Sequence, residues 1–189
     1  MATANPFDTI RQQAGDKDRS SQWYQAQVRK LGTINTNQLL RQGKVTNRVI
    51  PGFMYLFGYD PKMKDTLPYY DRFPLVLPFR RVEGGFLGLN IHYMPYLVRM
   101  KMLRYLHQFA SDQNMDEKTR IKLSWRILEG SSRLNPLANC VKRYLSEHVR
   151  TRFLNIPYND WVIASQLPIE GFVGARKIEV WNQERRKYT

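Results

Sequence analysis

The sequence predicts an α+β fold: a small antiparallel sheet packed against several helices, with extended arms at both ends. Strand-like runs between Phe53 and Tyr93 are joined by connections of hairpin length. After Pro95, apolar residues recur at spacings of three and four, which is the mark of helices. Strands and helices do not alternate as they would in a parallel sheet. At 189 residues the chain fits one domain, assigned to 18–174, with an N-terminal arm over 1–17 and a basic helix or tail over 175–189.

In chain order, Asn5-Pro6, Gly15 and Asp16 punctuate the arm, which has only Phe7 and Ile10 as apolar anchors and is expected to order against a neighbour. Asp18 to Leu31 predicts a helix capped by Asp18, Ser20 or Ser21, with Tyr24, Val28 and Leu31 on one face. A helical turn over Thr36 to Arg41 closes at Gly43, and Lys44 to Arg48 links it to the strands. Phe53 to Tyr59 is a buried strand, Asp60-Pro61-Lys62 a turn and Leu67 to Asp71 an irregular bridge. Phe73 to Phe79 carries Pro74 and Pro78, whose missing backbone donors predict an edge strand. Glu83-Gly84-Gly85 then turns into a third strand, Phe86 to Tyr93, where Gly88 marks a bulge or close backbone approach.

Three helices are expected next: from Pro95 to Phe109, from Asp116 to just before Gly130, and one opened by Pro136 with Leu137, Val141, Tyr144 or Leu145, and His148 or Val149 in register. Phe153 to Ile156 suits a short strand, Asn159 caps a brief helix through Ser165, and Ala175 to Arg186 forms the last basic helix or tail, with Trp181.

The 30 Lys and Arg outnumber the 16 Asp and Glu, for a formal charge of +14. The excess is uneven. Eight basic and three acidic residues fall in 1–50, five and four in 51–94, and twelve and five in 95–153, so the near-neutral strand region lies between basic flanks. Such flanks face a polyanion or an acidic neighbouring subunit. Cys140 is the single cysteine, which excludes an internal disulfide and a multi-cysteine zinc site. No run approaches the roughly 18 apolar residues of a membrane span, and Met1 to Ser20 lacks the apolar core of a secretory signal, so synthesis in a cytoplasm is expected.

Catalytic constellations are sparse, and no enzyme, metal or cofactor is expected. His92 alternates within a strand, while His107 and His148 lack carboxylate partners at helical spacing. Asp60, Asp65 and Asp71 neighbour turn residues, where capping explains them. Gly84 to Gly88 lacks the Lys-Ser/Thr of a phosphate loop and leads into a strand. Cys140, among apolar neighbours, reads as a small core residue.

What remains is surface. The aromatic residues of 53–93 exceed what one small sheet face needs, which marks Tyr69, Tyr70, Phe73, Phe79 and, further on, Trp181 as candidate protein-interface anchors. Arg80, Arg81, Arg99, Lys101, Arg104, Lys142, Arg143, Arg150 and Arg152 are candidates for contact with DNA or an acidic partner. Acidic subunits are the preferred partner, because the aromatics cluster in the neutral segment and are not interleaved with the cations as a single-strand stacking platform requires.

Four strings carry a resemblance: Tyr59-Asp60-Pro61-Lys62, Leu67 through Leu75, Gly85 through Tyr93, and Cys140 to Leu145 continuing through Phe153. In these the chain resembles small virion proteins of contractile-tailed bacteriophages. The resemblance implies a non-enzymatic structural or assembly role in the virion, in the tail or baseplate, docked among other phage structural proteins in a symmetric assembly. The alternative is a DNA-binding virion protein at the neck or genome end.

Overall fold

The computed structural model describes residues 5–15, 17, 19–110, 126, 130 and 137–186. Among these residues six α-helices and eight strands form an α+β fold built on one antiparallel sheet.

Helix α1 spans Pro6–Ala14, within the segment expected as an arm. The Asn5-Pro6 pair that reads as a breaker is a helix start: the Asn5 side chain accepts from the Phe7 N–H at 3.0 Å, and proline at the first position needs no donor. Phe7, Ile10 and Ala14 share one face and are buried in the main core. Two anchors and an alanine thus suffice to hold the helix to its own chain. Helix α2 (Ser21–Lys30) is capped by Ser20, and α3 (Thr36–Gln42) by Asn35, with Gly43 following.

The main sheet comprises β1 (Val45–Thr46), β2 (Met54–Leu56), β4 (Leu75–Val82), β5 (Gly85–Asn90), β6 (Val141–Leu145) and β7 (Phe153–Ile156). Its order is β1-β7-β2-β4-β5-β6, antiparallel throughout. A small second sheet pairs β3 (Tyr70–Asp71) with β8 (Phe172–Val173). Strand β4 is central and not an edge. Its prolines are tolerated because Pro74 precedes the strand, while Pro78 lies beyond the Leu75 and Val76 partners of β2, beside a register shift between Pro78 and Arg80. Gly88 is paired with Pro78, and a side chain there would collide with Val76, so it is the close approach that its position in the strand suggests.

The larger revision concerns 137–149. A helix was expected, but a 3-10 turn over Ala138–Cys140, strand β6 and a second 3-10 turn over Ser146–His148 are found. Val141, Tyr144 and Leu145 satisfy a helical spacing as well as a strand, and pairing of β6 with β5 from Leu89↔Val141 to Gly85↔Leu145 decides the matter. The helix expected between Asp116 and Gly130 lies almost wholly outside the described residues.

Helix α4 (Tyr96–Ala110) buries Met100, Leu103 and Leu106. Helix α5 (Trp161–Gln166) follows a 3-10 turn over Tyr158–Asp160. Helix α6 (Lys177–Arg186) starts with a capping contact in which Glu179 accepts from the Arg176 N–H at 2.8 Å, and it buries Val180, Trp181 and Glu184. The helices cover one sheet face over the main core. The other face carries a second core of Tyr55, Phe57, Tyr59, Val76, Phe86, Tyr144 and Phe153, with Phe57 meeting Tyr144 and Phe153 edge-on at 5.3 and 4.9 Å. Of the aromatic residues of the strand region, Tyr55, Phe57, Tyr59 and Phe86 go into this second core, and Tyr69, Phe79 and Tyr93 into the main one.

Candidate nucleic-acid interface

The anchor of the region is Asp71 on β3. Its Oδ1 accepts from the N–H groups of Phe73 and Gly171, both at 3.0 Å, and its Oδ2 accepts from Asn90 Nδ2 at 3.1 Å and His92 Nδ1 at 2.8 Å. Four donors converge on one buried carboxylate. Burial disfavours its charge, but the charge and hydrogen bond of His92, with the bonds from Asn90 and the Gly171 N–H, outweigh that and hold the carboxyl below its ordinary value. Asp71 is thus no simple turn cap. With His92 fully buried, the pair ties β3 to the turn after β5. Among the described residues no group of three or more His, Cys, Asp or Glu is placed to hold a metal ion, and no helix is long and apolar enough to cross a membrane.

Above this anchor opens a cavity of about 610 Å³. Tyr93, Tyr144 and Asp71 come from the sheets and the turn after β5. Tyr59, Pro61, Lys62, Met63 and Leu67 come from the segment between β2 and β3, Tyr70 from β3 itself, and Lys142, Arg143 and Leu145 from edge strand β6. Glu83, Gly84 and Glu147 complete the rim. The Lys142 ammonium sits 4.2 Å from the centroid of the Tyr93 ring, a cation-π contact. The Tyr59 hydroxyl accepts from the Leu145 N–H at 3.1 Å, tying the loop to the edge strand. Burial raises the Tyr93 and Tyr144 phenols, so both remain neutral.

The candidate cations separate into three groups. Arg80, Arg81 and Arg143 are exposed on β4 and β6, Arg80 and Arg143 being opposite the same β5 residue, Leu87. Arg150 and Arg152 are exposed near the cavity loop, where Arg150 donates to Asp60 at 3.3 Å and Lys64 bonds the same carboxylate at 3.0 Å. Lys101 and Arg104 are exposed on α4, where Arg104 reaches Ser21 of α2 at 3.0 Å. Arg99 is different. It is fully buried, donates to the carbonyls of Met94, Ser165 and His92, and pairs with Glu170 at 2.7 Å, so it serves the interior.

Of the aromatic candidates, Tyr69, Phe79 and Trp181 are buried within the chain's own core, where the Tyr69 hydroxyl meets Glu184 and Trp181 Nε1 donates to the His92 carbonyl at 2.8 Å. Tyr70 and Phe73 are half-buried. The cavity's Tyr59, Asp71, Tyr93 and Tyr144 were missed as site residues because the segment holding Lys142 and Tyr144 reads as a helix. Folded as β6, it brings its cations among the tyrosines of the neutral segment, which the linear order keeps apart.

Compared with protein families, the chain matches, over residues 8–184, the model described as the phage T4 terminal DNA protecting protein. No curated protein and no solved structure matches it.

Proposed function

The chain belongs to the phage T4 terminal DNA protecting protein family, and on that premise we propose that it binds the ends of linear phage DNA and shields them, without enzymatic activity of its own. The observation that carries this reading is the extent of the match, residues 8–184, which takes in every helix and strand from α2 to β8. The geometry agrees with it. Exposed Arg80, Arg81 and Arg143 on the β4–β6 end of the sheet, with Arg150 and Arg152 beside the cavity loop, are placed for contacts to phosphates. Lys62, Lys142 and Arg143 line the same cavity as Tyr59, Tyr70, Tyr93 and Tyr144, with the Lys142 ammonium over the Tyr93 ring, which favours a nucleic acid over an acidic subunit. The genome end in the virion therefore replaces the tail or baseplate as the proposed location, since the family's description concerns DNA termini.

The test is protection of linear duplex DNA from a processive exonuclease by the purified protein. Linear DNA should survive in proportion to bound protein, and a covalently closed hairpin-ended duplex should compete poorly for it. Degradation at the unprotected rate under saturating protein would remove this reading.

A further inference from the structure

We propose that the cavity beside β6 receives the base of an unpaired nucleotide at a DNA terminus, an inference that rests on the end-binding reading above. Its volume of about 610 Å³ falls within the range of about 300–1,000 Å³ typical of small-molecule sites. Its lining carries both signs, Lys62, Lys142 and Arg143 with Glu83 and Glu147, while the Asp71 carboxylate lies buried beneath with both oxygens taken by its four donors. Asp71 is matched by His92, and Glu147 lies 3.4 Å from His148 Nε2. A phosphate offers only acceptors and suits a cluster of donors. A nucleobase offers donors and acceptors side by side, and a lining of ammonium, guanidinium and carboxylate groups answers both.

The apolar part of the lining fits the same ligand. Met63 and Leu67 are 58 % and 42 % exposed at the cavity, and the Tyr70 ring beside them is half-buried, so a flat aromatic group can lie against surface that the protein's own core leaves uncovered. Asp60, next in sequence to the lining residues Tyr59 and Pro61, is bonded by both Lys64 and Arg150, two exposed cations suited to the phosphate of the entering nucleotide. An unpaired terminal base is also the part of a duplex that leaves its stack at least cost.

The experiment measures competition binding of the full chain with four DNAs: blunt, with a one-nucleotide overhang, with the same overhang made abasic, and hairpin-closed at both ends. The base-bearing overhang is expected to bind about tenfold tighter than the abasic one, as one stacked base supplies. Tyr70→Ala and Met63→Ala should each erase that difference, and Tyr70→Phe should keep it. Deoxyadenosine, but not oligoglutamate, should displace the overhang. Equal affinity for base-bearing and abasic overhangs, with closed DNA still weaker, overturns the cavity assignment alone. Equal affinity for open and closed DNA overturns the end-binding reading on which it rests. Displacement by oligoglutamate alone assigns the cavity to an acidic peptide and also overturns the proposal. Tyr70→Ala is checked for folding by its melting temperature, and Met63→Ala, on an exposed residue, repeats the test where folding is not at stake.

Discussion

Arg99 and Glu170 form an ion pair at 2.7 Å that is hidden from solvent, and the guanidinium also holds three backbone carbonyls from the turn after β5 and from α5. The Arg99 Cζ lies 4.7 Å from the centroid of the Tyr96 ring and 5.5 Å from that of Trp181. One side chain thus joins α4, α5, α6 and the Asp71–His92 anchor.

Breaking such a pair from one side leaves a buried charge and several unmatched carbonyls, at a cost of about 3–5 kcal/mol. Arg99→Ala should therefore lower the urea midpoint drastically or prevent folding, whereas Lys101→Ala, at an exposed position on the same helix, should hardly move it. An Arg99→Ala protein with the wild-type midpoint would contradict the role assigned to the pair.

Acid should unfold the protein through Asp71 and Glu170. Burial opposes the charge on Glu170, but Arg99, His92 and Lys177 together hold it below its ordinary value, as His92 and its neighbours do for Asp71. A carboxyl depressed in the folded state contributes stability above its unfolded pKa of about 4, and loses it as the pH falls through the lower folded value. Denaturation midpoints measured from pH 7 down to pH 2 should be level at first and fall steeply below about pH 4. Asp71→Asn should flatten that fall. An unchanged slope in the variant would show that other groups govern it.

DNA affinity should separate the cations by place. Arg80→Ala, Arg81→Ala and Arg143→Ala are each expected to reduce the salt dependence of end binding by about one unit per lost phosphate contact, without changing the melting temperature. Lys101→Ala and Arg104→Ala on α4 should leave the salt slope as it is. If the α4 pair alters the slope and the sheet arginines do not, the DNA lies along α4 instead.

Gly85→Ala tests the edge strand. A Cβ on Gly85 would collide with the Tyr144 carbonyl oxygen, so the β5–β6 ladder must shift to accept it. Loss of the overhang preference together with a lowered melting temperature is expected. Retention of both would mean that the register of β6 is dispensable for the cavity.

The fold class was legible because strand runs and helical periodicity occupy separate parts of the chain, and α2, α3, α4 and β7 lie close to where capping residues and apolar spacing put them. Other elements were not legible for reasons that can be named. Pro78 speaks for an edge, yet it occurs where the ladder to β2 has already ended. Val141 to Leu145 fits two periods equally, and only its partner strand chooses between them. Asn5-Pro6 is at once a breaker and a good helix start, and burial of Ile10 settles it. The cavity shares this difficulty, since Tyr59, Asp71, Tyr93 and Lys142 meet only after long-range pairing.

Strand β7 lies between β1 and β2, with Leu154 paired to Val45 on one side and to Leu56 on the other. The place it fills is laid out by residues made about a hundred positions earlier. On the ribosome, β2, β4 and β5 can zip together as they emerge, but β1 has no neighbour until translation has passed Ile156. Such distant pairing slows folding, because the intervening chain must be closed into a loop before any contact rewards it. A nascent chain interrupted before Phe153 therefore leaves β2 with an open flank, a template for pairing with other chains, and a nonsense mutation late in the gene would produce aggregating polypeptide instead of a smaller working protein.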